Sequence, residues 1–509
     1  MAEARTDTRE KITVQGVSGD SFIVSEVSEE FSLPDYIPEV RRILATRSAV
    51  LPESRFIQSE GSASRLDLGG TVTYSVIYTD DEGEIRTLPL SSAYEGSGQI
   101  NSQPETVLVF PTVEGVNVRV NGPRKLTIKS RVKSRVIGIE GKEIGERVEN
   151  RTVADEMFIQ RRERELGALS LIPFSLQGIK ASDKLDTQKE TGLKPIWCDA
   201  TLVTSDVKTQ SNAISVKGEL RVKCLCRGED GEITLTKTIP VSEEISKEGI
   251  MQGDIARAGG RIVSLSISNE EGEGDIFIDA TMEIEGEVSK NKTISLTTDM
   301  YSTKNEMTTE YRTEDIFSLA KTDNTPFTVN EGIKRKSNEI EELITLIADP
   351  VYEKTDIKGQ KAIVNGKLLV KAIGRGKGDK ERMGEYVADI VELPFKYGVD
   401  LPKPTLSPIV LCDMSLGEIS GRYDKDKFYI TAQIHPSLTI LDRERVEILD
   451  KASVKKDEEI KKDQSCIRAY YPKQGESLWD IAKKYHTTTA TLKELNSLEG
   501  DTVKSPLLV

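Results

Sequence analysis

The sequence predicts a mainly β protein made of three tandem β-rich repeats of about 150 residues and a small C-terminal βααβ module. Three observations support this fold class. Similar segments recur at nearly constant spacing, apolar and polar residues alternate with a period of two inside them, and the C-terminal residues change to helical spacing. A chain of 509 residues is also too long for one hydrophobic core, so several domains are expected.

Two sets of anchor residues define the predicted repeats. The first set opens similar β segments at intervals of 148 residues and consists of Gly70, Gly218 and Gly366. The second set lies in later segments at intervals of 150 and 152 residues and consists of Ile128, Ile278 and Ile430. Two independent sets with nearly equal spacing predict three copies of one structural unit.

The segment after Gly70 shows the pattern of a half-buried strand. Apolar residues from Val72 to Tyr78 alternate with Thr and Ser, and the segment from Leu220 to Cys226 repeats this alternation. The acidic stretches that follow, TDDEGE and RGEDGE, have the glycine-containing chemistry of hairpin turns. They lack the twelve-residue ligand spacing of a calcium loop, so we interpret them as turns.

The third copy carries a longer charged stretch, GRGKGDKERMGE, which begins at Gly374. A glycine-rich basic loop is one form of phosphate site. This stretch does not match the spacing of a phosphate-binding loop and lies inside a predicted hairpin, without the strand-to-helix context of such sites. We therefore interpret it as a hairpin insertion.

These patterns divide the chain into five predicted segments. Repeat 1 covers residues 20–160, repeat 2 covers 165–315 and repeat 3 covers 325–450, a charged linker covers 451–465, and the C-terminal module covers 466–509. The predicted connections between them are charged: RTVADEMFIQRRERE, STKNEMTTEYRTED and VKKDEEIKKDQS. The last of these has little hydrophobicity and predicts a solvated tether.

Composition excludes several classes of function. The net charge is −14 and the isoelectric point is about 5.1, which argues against nucleic acid or an anionic membrane surface as partner. No uninterrupted apolar run approaches the roughly 20 residues that a transmembrane helix needs, so no membrane insertion is predicted. The first residues lack the apolar core of a signal peptide, and we expect a cytoplasmic protein.

The cysteines are sparse and odd in number, which predicts no disulfide framework. The five are Cys198, Cys224, Cys226, Cys412 and Cys466. Cys224 and Cys226 lie on the same face of a predicted strand, as a metal or redox pair would. No second Cys or His pair follows with zinc spacing, so we interpret them as small core residues and predict no metal and no cofactor.

The C-terminal module begins with a predicted short strand at residues 467–471. Ser477 and Asp480 form a capping pair, and the apolar residues after Ser477 predict a helix of about nine residues. His486 stands at the position of a left-handed helix cap. Trp479 shares helical spacing with Ala482, which predicts a core residue rather than one exposed to a ligand.

The second half of the module predicts another helix and a closing strand. Thr488 is a good N-cap, and the apolar spacing that follows predicts a helix that ends near Asn496. Residues 507–509 predict the second strand. A unit of this size is too small for much chemistry, but it is large enough to hold a shallow groove.

The run GESLWDIA from Gly475, followed by Tyr485, Thr487, Thr488 and the apolar residues of the second helix, resembles the LysM family. LysM domains bind the N-acetylglucosamine backbone of peptidoglycan or chitin. The resemblance implies a groove formed by two loops, with the residues Lys473, Gln474, Gly475, Glu476, Ser477, Asn496, Ser497 and Leu498. Two positions depart from the family pattern: Glu476 stands where Asp is usual, and the turn before the last strand is shortened to residues 504–506.

Three β-rich repeats before a terminal LysM-like module also resemble the SPOCS-domain proteins of spore-forming Firmicutes. The signature LPDYIP at residues 33–38 and the glycine-led strand at Gly70 carry this resemblance. It implies a spore-coat scaffold in the mother-cell cytoplasm, at the forespore surface, with the basement-layer ATPase SpoIVA as partner of the LysM end. A cytoplasmic groove has no access to exported peptidoglycan, so this resemblance implies protein recognition.

Two other functions stay open. A structural protein of the cell wall or of a phage tail, with peptidoglycan glycan in the LysM groove, combines the same kinds of module. An enzyme is the least favoured, because the only histidines, His435 and His486, have no neighbouring Ser or Cys nucleophile motif. Carboxylates number 84, so no chosen pair is informative.

Overall fold

The protein is mainly β, as the sequence predicts, and its described residues include two short α-helices. The computed structural model describes residues 5–8, 12–61, 63–145, 147–151, 153–187, 192–229, 231–269, 275–334, 340–378, 384–405, 407–424, 426–460, 468–501, 503 and 506–509. Strands β1–β21 form the body, and the remaining strands and both helices form the C-terminal module.

The strands of the body fall into three sets that follow one another along the chain. Set 1 contains β1 (Arg5–Thr8), β2 (Ile12–Ser32), β3 (Arg42–Glu60), β4 (Ala63–Thr79), β5 (Ile85–Ile100), β6 (Thr106–Gly122), β7 (Lys125–Ile144) and β8 (Arg147–Arg151). Set 2 contains β9 (Ile159–Leu185), β10 (Lys194–Gln210), β11 (Ala213–Arg227), β12 (Glu232–Ser246), β13 (Ile255–Asn269) and β14 (Ile276–Ser302). Set 3 contains β15 (Asn305–Asp323), β16 (Phe327–Lys334), β17 (Glu342–Lys358), β18 (Lys361–Arg375), β19 (Tyr386–Asp400), β20 (Ile409–Asp424) and β21 (Lys427–Glu459). A short 3₁₀ helix, Val153–Phe158, joins sets 1 and 2.

Each set contains an antiparallel meander of three strands, which we call the inner sheet. The inner sheets have the orders β3-β4-β5, β10-β11-β12 and β17-β18-β19. The acidic stretch at residues 79–84 turns between β4 and β5, as predicted, and the charged stretch that begins at Gly374 lies between β18 and β19. Residues 379–383 of that stretch lie outside the described residues.

Each set also contains a second sheet, which we call the outer sheet, around a long central strand. Its order is β2-β7-β6 in set 1 and β9-β14-β13 in set 2, while in set 3 the strands β15, β16 and β20 pair with β21. Strands at the sheet edges meet across each set: β3 lies against β6, β10 against β13, and β17 against β20. The two sheets of a set therefore enclose a hydrophobic core between them.

The anchor residues occupy equivalent positions in these sheets. The three isoleucines lie on β7, β14 and β21 and are fully buried. The three glycines lie on β4, β11 and β18, where the neighbouring edge strand passes very close. A Cβ atom at any of them would overlap a carbonyl oxygen of that strand, from Leu51, Val203 or Val351 respectively. Glycine is required there because only glycine lacks that atom.

The three inner sheets meet at one apolar junction. Its centre contains one fully buried residue from each set, Ile77, Leu225 and Ile373. In each set the first edge strand carries a bulge at the same relative position, and the extra residues are Leu44, Ile196 and Ile344. Each of these also packs into the junction. Because a bulge bends a strand, it turns this end of each inner sheet toward the other two.

Ion pairs link the sets around this junction. Glu84 of set 1 pairs with Arg227 of set 2, and Glu232 of set 2 pairs with Arg375 of set 3 at 2.7 Å. The third pair joins Glu385 of set 3 to Arg41 of set 1 at 3.1 Å. The ion pairs therefore form a closed ring in which each set contributes one carboxylate to the next.

The outer sheets meet at a second apolar junction. It is formed by residues from β2 and β7 of set 1, β9 and β14 of set 2, and β15 and β21 of set 3: Val14, Ile144, Leu166, Ala168, Ile294, Leu296, Ile316, Val446 and Ile448. The body therefore holds its three strand sets together at two levels.

The predicted charged connections prove to be strands in large part. Much of RTVADEMFIQRRERE lies in β9, and NEMTTEYRTED lies in β15. The proposed linker 451–465 is wrong over its first half, because β21 continues to Glu459 and pairs with β15. Residues 461–465 lie outside the described residues. Charge misled the prediction because edge and surface strands alternate a charged exposed face with a buried one.

The cysteines also differ from the prediction. Cys198 on β10 and Cys224 on β11 face each other and form a disulfide. Cys226 and Cys412 are free thiols and buried, and burial raises the pKa of the Cys226 thiol to about 11. Cys224 and Cys226 are core residues of set 2, as predicted. Cys466 lies outside the described residues.

Candidate functional site

The candidate site is the C-terminal module. Its elements follow the predicted order: β22 (Ala469–Tyr470), α1 (Leu478–Lys484), α2 (Thr489–Asn496) and β23 (Leu507–Leu508). The two strands pair antiparallel. Leu478, Ile481, Ala482, Leu492 and Leu507 are buried between the helices and strands. Part of the shortened turn, residues 504–505, lies outside the described residues.

Both helices begin at the predicted caps. The backbone N–H of Asp480 donates to Ser477 Oγ at 3.2 Å, and the Ser477 N–H donates to Asp480 Oδ2 at 3.0 Å, which completes a capping box. The Thr491 N–H donates to Thr488 Oγ1 at 3.0 Å. His486 has the predicted left-handed backbone, with φ of 49°. Helix α1 has seven residues and is shorter than predicted.

Glu476 organises the first predicted groove loop, residues 473–477. Its carboxylate accepts hydrogen bonds from the Lys473 N–H at 2.9 Å and from the Tyr470 hydroxyl at 2.8 Å. These bonds lower the pKa of Glu476, with the backbone bond as the largest cause. Gly475 completes the turn with φ of 85°, a conformation that glycine adopts without strain. The longer side chain of Glu in place of Asp therefore serves to close this loop.

Asn496 organises the second predicted groove loop, residues 496–498. Its side-chain amide donates to the carbonyl oxygens of Leu492 and Leu508, both at 2.8 Å, and its Oδ1 accepts from the Leu508 N–H at 2.7 Å. Ser497 has a left-handed backbone and ends α2. Leu498 is half-buried against the core of the module. Asn496 thus ties the closing strand to α2.

The predicted groove residues therefore divide by role. Lys473, Gln474, Gly475 and Ser497 are exposed and free to face a ligand. Glu476, Ser477, Asn496 and Leu498 are half-buried, and their contacts inside the module shape the loops. The arrangement offers a polar surface with one cation, an amide and backbone groups.

The module docks on the body through Asp299, near the end of β14. The Asp299 carboxylate accepts hydrogen bonds from Trp479 Nε1 at 2.7 Å, Lys483 Nζ at 2.7 Å and the Tyr311 hydroxyl at 2.6 Å. Burial raises the pKa of Asp299, but the bonds from Lys483, Tyr311 and Trp479 outweigh it and hold the pKa below its ordinary value. Trp479 is half-buried: it packs against the core of the module, as predicted, and its indole N–H also bonds to the body.

Tyr301 extends the same contact. It is 4% exposed and packs with the buried apolar residues of the module, and its ring lies edge-on to Trp479 with centroids 4.9 Å apart. Its hydroxyl donates to the Thr487 carbonyl oxygen at 2.7 Å. The pKa of Tyr301 is raised to about 12, mainly because the side chain is buried. A residue of the body thus completes the hydrophobic core of the module.

Sequence reasoning missed Asp299, Tyr301 and Tyr311. Each is separated from the module by more than 150 residues, and the stretch TTDMYS around Asp299 has no motif that marks it as a contact. Only the fold brings β14 to helix α1. In the sequence, the large apolar side chain of Trp479 on α1 is the feature that could have indicated a contact on this helix.

The histidines show no catalytic arrangement within the described residues. His435 Nε2 lies 3.2 Å from Gln433 Oε1. Burial lowers the pKa of His435. His486 Nδ1 lies 3.4 Å from the Ser302 carbonyl oxygen, at the edge of the docking contact. In the part of the chain that the structure describes, no group of three His, Cys, Asp or Glu side chains could hold a metal ion.

Comparison with models of protein families supports the assignment of the C-terminal module as a LysM domain. The family model described as LysM domain matches residues 473–505. Comparisons with curated proteins and with solved structures gave no match. Among the described residues, neither helix has the length and apolarity required to cross a membrane.

Proposed function

We propose that this protein is a non-enzymatic scaffold that presents a LysM groove to a binding partner. The observation that carries the proposal is the docking of the LysM module at Asp299 and Tyr301. These contacts use α1 and the start of the helix connection, whereas Lys473, Gln474 and Ser497 of the groove loops stay exposed. The body therefore holds the module in one orientation with its groove accessible.

We propose a protein as the partner, specifically the spore-coat ATPase SpoIVA. Support comes from the resemblance of the sequence to SPOCS-domain proteins and, among them, to the clostridial coat-assembly protein SipL. In this proposal the chain acts in the mother-cell cytoplasm at the forespore surface. This part of the proposal rests on that sequence resemblance alone.

The alternative partner is the N-acetylglucosamine backbone of peptidoglycan. The LysM family match favours it, because glycan binding is the property shared by the family. The exposed amide of Gln474 and hydroxyl of Ser497 are suitable hydrogen-bond partners for sugar hydroxyl groups. In this case the chain is a structural protein of a cell wall or a phage tail.

Binding assays with immobilised SpoIVA and with purified peptidoglycan sacculi test both partners. The informative variant is Gln474→Ala, because this exposed residue lies outside the bonds that shape the loops. Asn496 is unsuitable, since its replacement would release β23. Glu494→Gln on the exposed side of α2 is the matched control.

Each result has a defined meaning. Retention on SpoIVA that falls about tenfold in Gln474→Ala and not in the control supports the coat scaffold. Retention on sacculi alone, with the same sensitivity, supports the glycan alternative. Failure to bind either one, in a chain with normal circular dichroism, would overturn the proposed use of the groove.

We further propose that the three strand sets are tandem repeats of one ancestral unit. The equal spacing of the glycine anchors supports this, as do the bulges at the same relative positions of β3, β10 and β17. Equivalent positions should then respond alike to substitution, which is tested below with the glycines.

A further inference from the structure

A cavity of about 580 Å³ opens on the body, away from the LysM groove. Strand β2 forms one wall at Gly16, Val17 and Ser18, where a bulge separates Val17 from Gly19 in its pairing with β7. The other walls are formed by Gly61, the loop at residues 101–103, strand β7 at Glu140 and Lys142, and strand β15 of set 3. Because a bulge bends its strand, β2 leaves space between sets 1 and 3.

The lining is polar and rich in hydrogen-bonding groups. Asn101 and Gln103 contribute amides, Ser18 and Ser102 contribute hydroxyls, and Phe317 contributes an aromatic ring. Phe317 is 4% exposed and packs beneath Gly16. The size lies in the range of roughly 300–1,000 Å³ that is typical of sites for small molecules.

The charged groups of the lining are already neutralised by protein partners. Lys142 Nζ lies 3.2 Å from Glu140 Oε1 and 3.8 Å from Glu314 Oε2. Asp315 pairs with Arg445 at 3.2 Å and with Arg443 at 3.7 Å. Because these described side chains are already paired, the lining offers a charged ligand no uncompensated charge, so the cavity suits a neutral molecule.

Two hydroxyl groups of the lining lack partners. The Oγ atoms of Ser18 and Ser102 are buried and make no hydrogen bond within the described part of the chain. A buried polar group without a partner costs roughly 1–3 kcal/mol. Serine side chains rotate between staggered positions, so either hydroxyl can turn toward a molecule in the cavity.

We propose that this cavity binds a neutral saccharide or a similar polyol. Such a ligand supplies both donors and acceptors to Asn101, Ser18 and Ser102 while leaving the ion pairs intact. Gln103 offers its Oε1 as an acceptor, because its Nε2 already donates to the Gly61 carbonyl oxygen at 2.5 Å. The site is independent of the LysM groove, and it is formed jointly by set 1 and set 3.

The test is saturation-transfer NMR and thermal shift on the full chain, with glucose, galactose and myo-inositol as neutral probes and with inorganic phosphate as a charged probe. The key variant is the double change Ser18→Ala and Ser102→Ala. It should raise the melting temperature of the ligand-free protein, because it removes unpartnered hydroxyls, and weaken binding of the neutral probes about tenfold. Asn101→Ala should also weaken binding, whereas Asn117→Ala, an exposed amide on β6, should leave it unchanged.

The Gln474→Ala variant separates this cavity from the LysM groove. Binding of a neutral probe that persists in Gln474→Ala and is lost in the serine double variant supports the proposal. Absence of neutral-probe binding at tens of millimolar, binding of phosphate alone, or loss of binding in Gln474→Ala would overturn it.

Discussion

At the scale of single residues, Asp299 connects the body to the LysM module. Its carboxylate receives three hydrogen bonds, from Trp479, Lys483 and Tyr311, and is nearly buried. Hydrogen bonds to a charged group contribute roughly 1.5–3 kcal/mol each when they are removed one at a time. Asp299 therefore supplies the main polar contact of the docked module, beside the apolar contact of Tyr301.

We expect Asp299→Ala to release the module from the body without unfolding the strand sets. The docking surface should lose roughly 2 kcal/mol, so the backbone amides of α1 should exchange hydrogen faster. Trp479 emission should shift to the red, as its indole becomes hydrated. The chain has only two tryptophans, and Trp197 is 3% exposed, so Trp479→Phe assigns the signal. Unchanged emission and exchange in Asp299→Ala would contradict this role, and Asp67→Ala is the surface control.

The same contact should depend on pH in one direction. Because the folded pKa of Asp299 lies below its ordinary value of 3.8, the stabilisation is present above that value and is lost as the pH falls through the folded pKa. Acid titration of the Trp479 emission measures this, and the transition should be absent in Asp299→Ala.

Lys371 is a second residue whose charge matters, at the junction of the inner sheets. The pKa of Lys371 is lowered to about 8, mainly by burial. The positive charge of Arg47 lowers this pKa further, and the charge of Asp199 opposes both effects. Its ammonium group donates to the Thr46 carbonyl oxygen of set 1. At neutral pH the junction therefore carries a charge that burial disfavours.

We expect Lys371→Met to stabilise the protein by roughly 2 kcal/mol at pH 7, since one pH unit corresponds to about 1.4 kcal/mol. Between pH 8 and the ordinary lysine pKa of 10.5, the unfolded chain holds a proton that the folded chain has released. Stability of the original protein should therefore rise with pH across this range, relative to the variant. Denaturant unfolding at pH 7.5 and 10 measures the difference. Equal pH dependence in both chains would contradict the prediction, and the exposed Lys208→Met is the control.

At the scale of elements, the strands are specified by residues that face the hydrophobic core rather than a ligand. The alternation from Val72 to Tyr78 places Val72, Tyr74, Val76 and Tyr78 in the core, each no more than 1% exposed. The glycine anchor just before them allows the edge strand to approach closely. Periodicity and a single missing Cβ thus determine the geometry of the inner sheet.

We expect Gly70→Ala, Gly218→Ala and Gly366→Ala to destabilise the protein by similar amounts, on the order of 1–3 kcal/mol, because the new methyl group overlaps a backbone carbonyl. Gly115→Ala on β6 is the matched control, since no atom lies within 4 Å of its Cβ position and its φ is not positive. Thermal unfolding of the four variants tests this. A loss confined to one of the three positions would contradict their equivalence and weaken the proposal of tandem repeats.

At the scale of the whole molecule, the closed ring of ion pairs relates the three strand sets. The pairs differ in burial: the Glu232 side chain is 4% exposed, whereas that of Glu385 is 74% exposed. Burial raises the pKa of Glu232, but its bonds with Tyr386 and Arg375 outweigh this and lower the pKa. A buried pair loses far more than an exposed one when a single partner is removed.

We expect Glu232→Gln to cost about 3 kcal/mol, because Arg375 is left without its carboxylate partner, whereas Arg227 keeps its pair with Glu84. Glu385→Gln removes the equivalent pair at the exposed position of the ring and should cost less than about 1 kcal/mol. Chemical denaturation of both variants provides the comparison. Equal losses of unfolding free energy in the two variants would mean that membership of the ring, rather than burial, determines the contribution of a pair.

The sequence by itself determined the mainly β class, the strand alternation, the helix caps and the LysM-like module. These features depend on local periodicity and on residues a few positions apart, such as Ser477 and Asp480. They can therefore be predicted from the sequence without knowledge of the fold. The predicted groove residues Gln474 and Ser497 are exposed, but their role in a groove and their ligand both stay predictions. The linker 451–465 failed because a charged strand and a charged tether have similar composition.

The tertiary structure alone decided how distant parts of the chain meet. The docking of Trp479 on Asp299, the ring of ion pairs, the pairing of Cys198 with Cys224 and the cavity between sets 1 and 3 all join residues that no local pattern relates. Such contacts depend on which strands the fold places side by side. A polar side chain on a strand has the same local pattern whether it faces water or another domain, and only the packed structure distinguishes the two.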